Sequence, residues 1–185
     1  MQILATPFHN LFILKPRIFS DERGEFIKLF SAEIFTESKL DCDFLEAFYS
    51  VSKKGVLRGM HFQIPPKEHT KLVFVSSGKI IDVVVDLRTD SVTYQQYFSV
   101  ILDGTNALYI PKGFAHGFLS LCDETKVHYM QSSCYNKNCD CGIAFDSFGF
   151  DWRGVANAHH ISDFIISPRD KSFETLSSFC KKGLF

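Results

Sequence analysis

From Phe8 to about Phe150 the chain is cut into short apolar or alternating runs, each closed by a turn signal. The interval between signals is about 8 to 12 residues, which leaves room for strands and almost none for long helices. The expected strands are Glu25–Ser31, Leu45–Val51, Gly55–Phe62, Lys71–Ser76, Lys79–Leu87, Tyr97–Leu102, Ala107–Ile110, Gly117–Leu121 and Lys126–Ser133. Between them fall Pro65-Pro66, Ser77-Gly78, Asp90-Ser91, Asp103-Gly104 and Pro111-Lys112-Gly113, all residues suited to turns. Many short strands at this spacing point to an all-β sandwich or barrel of the jelly-roll type.

A chain of 185 residues fits one core, since splitting sets in beyond roughly 250 residues, and residues 1–185 read as a single domain. Hydrophobic residues make up 45% of it, with 20 phenylalanines, which excludes a disordered chain. No apolar run approaches the roughly 18 residues a membrane span needs. A formal charge of −1 provides no broad field for nucleic acid, so an anionic ligand must be met by a few local cations. The first residues, Met1 to His9, lack the basic segment and apolar stretch of a secretory signal, giving an expectation of a cytoplasmic protein. Six cysteines are then free thiols by default. Cys134, Cys139 and Cys141 are spaced C-x4-C-x-C with no fourth ligand near, which does not match a zinc site.

Two helices are expected. Ser31 caps one that runs through Lys39, and Ser167-Pro168-Arg169-Asp170 has a capping serine with proline at the first helical position. The second would form a C-terminal helix with Phe173, Leu176 and Cys180 on one face and Lys181 and Lys182 in its last turn.

The chemistry concentrates on strands. In Gly55-Val56-Leu57-Arg58-Gly59-Met60-His61-Phe62-Gln63, alternation puts His61 and Gln63 on one face and Met60 and Phe62 on the other. Asp82 and Asp86 share a face of a very apolar strand, where an unpaired carboxylate costs several kcal/mol, so both need partners. His116 stands between glycines at the start of a strand, and Tyr129 faces away from His128. If one inner face collects His61, His116, Asp82, Lys71 and Tyr129, it holds a base, a cation and a phenolic acid in an apolar cavity. Such a set suits removal of a proton beside a carbonyl: neutral imidazole takes the proton, and lysine or a second histidine meets the enolate oxygen. Tyrosine returning the proton to the other face inverts the carbon. Each residue also has a structural reading, as a bonded core histidine or tyrosine, a strand-edge charge, or, for Asp170, part of the helix cap.

In order, Asp21-Glu22-Arg23-Gly24, Gly55 to Gln63, Lys71-Leu72-Val73, Asp82 to Arg88, Ser91 to Tyr94, Ile110 to Phe118, Tyr129, Tyr135-Asn136, Asp151-Trp152 and Ser167 to Asp170 resemble the dTDP-4-dehydrorhamnose 3,5-epimerase family of the cupin superfamily. The resemblance spans nearly the whole chain. It implies a cupin-type jelly roll with short peripheral helices, a homodimer, and cofactor-free, metal-free epimerisation of a nucleotide-diphosphate 4-keto sugar for surface polysaccharide. By that similarity His61 is the base, Asp170 its orienting partner, Tyr129 the acid, and Lys71 faces the C4 oxygen. His116, Asp82 and Gln63 line the sugar pocket, Arg23 and Arg58 meet the diphosphate, and Phe26 and Tyr135 lie near the nucleotide. Asp140 stands where the family usually has glutamate.

The chain also departs from that pattern. Where the family commonly reads Arg-Gly-x-Phe-x-Glu, Lys28 takes the glutamate's place, and where it has Gln-x-Asn the chain has Glu46 and Phe48. Lys28 and Glu46 either pair with each other or fit a different base or sugar. Inversion at one centre only, with a GDP- or CDP-linked substrate, is the alternative reading. A metal-dependent cupin would need an H-x-H pair, which Gln63 breaks, and a non-catalytic sugar-nucleotide binder would have no use for both an acid and a base.

Overall fold

A computed structural model describes residues 1–185. The strands are β1 (Gln2–Ala5), β2 (Phe12–Lys15), β3 (Arg17–Asp21), β4 (Gly24–Lys28), β5 (Glu46–Ser52), β6 (Leu57–Gln63), β7 (Lys71–Ser77), β8 (Ile80–Asp86), β9 (Tyr97–Leu102), β10 (Ala107–Ile110), β11 (Phe114–Ser120), β12 (Thr125–Gln131) and β13 (Asp140–Gly142). All the strands expected from the sequence form, with ends moved by at most three residues. β1, β2, β3 and β13 were not anticipated. They are three to five residues long, and every residue of β3 is exposed, so no alternation marks it.

Two antiparallel sheets face each other, one ordered β1-β2-β10-β7-β12-β5 and the other β13-β6-β11-β8-β9. From β5 to β8 the chain changes sheet at every step, so hydrogen-bonded neighbours are seldom consecutive. This is the cupin-type jelly roll. The hairpin β3–β4 stands outside both sheets.

Alternation divides the apolar residues among three layers. Val73, Val75, Leu108, Val127 and Tyr129 meet Ile80, Val84, Phe114 and Phe118 between the sheets. On the outer face of the second sheet, Met60, Phe62, Val83, Val85 and Leu119 pack under Trp152, Leu176 and Phe179. On the outer face of the first, Leu14, Leu72 and Tyr109 are covered by Phe35. Each fully buried Leu or Phe contributes about 1.5–3 kcal/mol, so a one-residue slip of register would forfeit several such contributions at once.

The helices are shorter than expected. α1 (Ala32–Glu37) begins after Ser31, whose side chain makes no cap bond, and it ends before Lys39, which has φ +58°. α2 (Trp152–Ala158), unforeseen, is capped by Asp151, which accepts from the Gly154 amide. The expected C-terminal helix is two helices, α3 (Pro168–Lys171) and α4 (Leu176–Cys180). Thr175 starts a new cap by accepting from Ser178 N. Phe173, assigned from the sequence to a helix face, lies between the helices and sets its ring edge on His61, with centroids 5.7 Å apart. No helix is long and apolar enough to cross a membrane.

One irregularity shapes the site. β11 pairs with β6 as His116 to His61 and then Phe118 to Arg58, so Gly117 alone faces Gly59 and Met60. Such a bulge re-phases the strand, and Arg58 and His61, an odd three residues apart, both reach the same cavity. The strands approach closely enough that a Cβ on Gly59, at φ +133°, would lie 2.5 Å from Gly117 Cα.

Candidate active site

A cavity of about 420 Å³ opens between the sheets, lined from β5, β6, β7, β11 and β12, by the Ser132–Cys139 loop, and by β13 and α3. It brings together His61, Lys71, His116, Tyr129, Arg58, Gln63, Glu46, Tyr135 and Asp140. Asp170 and Asp82 stand directly behind two of these side chains.

His61 Nε2 lies 3.0 Å from Asp170 Oδ1. Asp170 Oδ2 accepts from the Gly59 amide at 3.1 Å, and its own amide donates to Ser167 Oγ at 3.0 Å. The cap and the partnership with His61 therefore coexist in one residue. Burial pushes the Asp170 carboxyl up, but the bonds from His61 and Gly59 outweigh it and hold the group below the usual carboxylate range. An ionised carboxylate only accepts, so Nε2 carries the proton and Nδ1 holds the lone pair. Nδ1 has no protein partner.

Residues 5–178 match the protein family described as dTDP-4-dehydrorhamnose 3,5-epimerase. The chain belongs to that family. It is 40% identical to dTDP-4-dehydrorhamnose 3,5-epimerase of Methanothermobacter thermautotrophicus, over 95% of this chain and 94% of the relative. The dTDP-6-deoxy-D-glucose-3,5-epimerase of Legionella pneumophila, solved with dTDP-4-keto-L-rhamnose, superposes with TM-score 0.89 at 32% identity, covering 99% of this chain and 96% of that one. ChmJ of Streptomyces bikiniensis, a 3′-monoepimerase solved with dTDP-quinovose, gives TM-score 0.88 at 28% identity over 98% and 91%. As a member of this epimerase family, the protein is an isomerase.

In this epimerase the second His–Asp pair lies across the strand from the first: His116 is the β11 neighbour of His61, and its Nε2 is 2.8 Å from Asp82 Oδ2. Burial pushes His116 down and Asp82 up, and each opposes the other's shift. Lys71 Nζ donates to the His61 carbonyl at 3.2 Å. Burial pushes its ammonium down to about 8, against the pull of Asp82 and Asp140. Tyr129 stacks on Phe48, with centroids 4.9 Å apart and planes at 18°, and burial holds its phenol protonated well above the ordinary range.

Other expected contacts are committed differently. The Gln63 amide donates to Lys67 O and accepts from Asn136 N, so it ties down the Ser132–Cys139 loop as well as lining the cavity. Glu46 accepts from Gln131 Nε2 at 2.9 Å and Tyr135 N at 3.1 Å, and a Lys28–Glu46 pair, one of the two readings the sequence left open, does not form within the chain. Arg23, Phe26 and Lys28 lie on the exposed hairpin and do not line this cavity. Arg23 folds back onto Asp21. Arg58 is exposed and donates to Ser52 Oγ at 3.2 Å.

Arg169 and His69 also line the cavity, a place the sequence reading did not give them. Arg169 bonds Asp140 Oδ2 at 2.7 Å, and its position beside Asp170 in the quoted motif was the available signal. His69 Nδ1 accepts from Gln63 Nε2 at 3.2 Å, and burial, with Lys71 and His116 nearby, pushes the imidazole down to about 2. It stands two residues before Lys71, on the same side of the strand's extension. No group of three or more His, Cys, Asp or Glu side chains is placed to hold a metal ion.

Proposed function

We propose that residues 1–185, acting as one domain, epimerise C3 and C5 of a nucleotide-diphosphate-linked 4-keto-6-deoxy sugar without a metal or cofactor. The reading rests on one arrangement: a histidine whose tautomer is fixed by Asp170 at 3.0 Å shares a cavity with a buried tyrosine that burial keeps protonated. His61 Nδ1 removes the proton from carbon adjacent to the ketone, and the C–H electron pair passes into the enolate. Lys71, charged below about pH 8, and His116 stabilise the enolate oxygen, as preorganised donors do. Tyr129 delivers a proton to the opposite face, and both groups re-equilibrate with solvent before the second centre reacts. Arg58 and Arg169 supply guanidinium groups suited to a diphosphate.

The protein is further proposed to work as a cytoplasmic homodimer in surface-polysaccharide synthesis. β5 is an edge strand with Tyr49 and Val51 exposed, while the hairpin exposes Ile18, Phe19 and Phe26. A free strand edge beside apolar side chains favours pairing with another strand, and a second copy's hairpin would bring Arg23, Phe26 and Lys28 to this cavity. Sedimentation at micromolar concentration reads the dimer.

Incubation in heavy water with dTDP-, CDP-, GDP- and UDP-linked 4-keto-6-deoxyglucose, followed by NMR, tests the chemistry. Deuterium at C3 and C5 with inversion is expected. Label at C3 alone favours the single-centre reading, which the similarity to a 3′-monoepimerase supports. No label with any substrate refutes catalysis and leaves a binder.

A further inference from the structure

His61 is tied at only one point of its ring. Nε2 meets Asp170 Oδ1 at 3.0 Å, whereas Nδ1, the atom the proposed reaction needs, has no protein partner, and the side chain is 32% exposed. The torsion that sets the plane of a histidine ring is broad, because it joins an sp³ to an sp² carbon. Nε2 lies nearer the axis of that rotation than Nδ1 does, so a single bond there restrains the plane weakly. A second contact must fix the direction of the Nδ1 lone pair.

Phe173 makes that contact. Its ring meets the imidazole with centroids 5.7 Å apart and planes at 81°, the T-shaped arrangement that aromatic pairs favour. Gly142 on β13 is the ladder partner of His61, and a Cβ there would come within 2.3–2.6 Å of three carbons of the Phe173 ring. Gly142 is not among the glycines with positive φ, so its backbone does not call for glycine. The ring does. The missing side chain opposite His61 is the slot that Phe173 fills, and Arg169, held by Asp140 at 2.7 Å, sets its guanidinium 5.2 Å from the centroid of that ring. The backbone just beyond is anchored as well, since Ala144 N donates to Glu174 O at 2.7 Å.

We infer that Phe173 is a positioning residue for the epimerisation: seated in the Gly142 slot, its ring holds the plane of His61 and keeps Nδ1 aimed at the reacting carbon. This role rests on the proposed reaction, in which His61 is the base, and it divides the control of that base between two residues. Asp170 sets the tautomer and Phe173 the plane. The two lie three residues apart, so the short segment that begins at the Ser167 cap delivers both restraints.

Phe173→Met tests the assignment, because methionine keeps apolar bulk without a flat ring. Deuterium exchange with dTDP-4-keto-6-deoxyglucose should show kcat lower by about 10–100-fold, the order of loss that a misaimed catalytic group produces, with KM within about threefold of the unaltered value. Gly142→Ala should cause a comparable loss by displacing the ring, and the two substitutions together should cost no more than Phe173→Met alone. Without substrate, long-range ¹H–¹⁵N spectra of the imidazoles should give sharp His61 signals in the unaltered protein and shifted or exchange-broadened ones in Phe173→Met. The assignment is overturned by a kcat in Phe173→Met within about threefold of normal, by a loss confined to KM, by additive losses in the double variant, or by unchanged His61 signals. Full exchange in His61→Ala, or none in the unaltered protein, overturns the proposed reaction instead, and the spectra then still decide whether Phe173 orders the ring.

Discussion

Asp170→Asn is expected to slow the proposed proton transfer by about 10²–10⁴-fold with the fold intact. The buried Asp170 carboxylate accepts from two donors, the Gly59 amide at 3.1 Å and His61 Nε2 at 3.0 Å. Asparagine has one acceptor and one donor end. With its oxygen kept on the Gly59 amide, its NH₂ faces Nε2, which must then carry the lone pair. The ring proton moves to Nδ1, and the base is lost. Restoring the reactive tautomer means turning the amide, which sets NH₂ against the Gly59 N–H and leaves two donors unsatisfied at about 1–3 kcal/mol each. The reactive state is thus disfavoured by about 2–6 kcal/mol, and at about 1.4 kcal/mol per tenfold this spans roughly 30-fold to 10⁴-fold. Loss of the charge opposite the imidazolium raises the lower bound. Deuterium wash-in under single-turnover conditions measures the step, and thermal melting with calorimetric substrate binding shows that fold and affinity persist. A variant that melts and binds normally yet exchanges within tenfold of the unaltered protein would refute the reasoning, because His61 would not depend on Asp170 for its tautomer.

Lys71 yields two pH effects of opposite sign. Its folded value of about 8 lies below its ordinary 10.5, so between those limits the unfolded chain binds the extra proton and stability rises with pH, whereas kcat/KM falls through about pH 8 as the ammonium is lost. Urea midpoints and rates measured from pH 7 to 10 should diverge in this way, and Lys71→Met should flatten its stability contribution. Tyr129→Phe keeps the Phe48 stack but removes the acid. It should cut inversion by about 10²–10⁴-fold while His61 still exchanges the proton with retention, so inverted product formed at the normal rate would exclude Tyr129 as acid. Gly59→Ala, with φ +133° and Gly117 Cα 2.5 Å from the added carbon, should cost about 2 kcal/mol or more. That corresponds to a melting point lower by roughly 4–8 °C for a chain this size, and an unchanged melt would show that the strands can separate there.

Burial imposed on a repeating pattern made most of the fold readable. β7 and β8 alternate or run apolar because both faces meet other layers, and each came within a residue of its expected bounds. β3 has no buried face and therefore no pattern. The C-terminal helix failed for a different reason. Phe173, Leu176 and Cys180 do share a helical spacing, but the pull on Phe173 comes from a pocket formed by His61 and Gly142, which no local window contains. Thr175 then permits the break by capping a second helix.

The candidate site divides along the same line. Residues placed by strand alternation, His61, Lys71, Asp82, His116 and Tyr129, do converge, because the facing sheets turn one residue in two toward a common cavity. Arg58 escapes simple alternation, since three residues separate it from His61 and only the bulge opposite Gly117 brings both to one side. Arg23, Phe26 and Lys28 have the composition of a ligand site but sit on a hairpin that neither sheet claims. Their assignment therefore hangs on a second copy of the chain, whereas Glu46 and Phe48 belong to β5 of the same chain. If deuterium exchange persists in a variant that remains monomeric, the side chains of the jelly roll suffice for the proton transfer, and the hairpin of a second copy contributes only affinity.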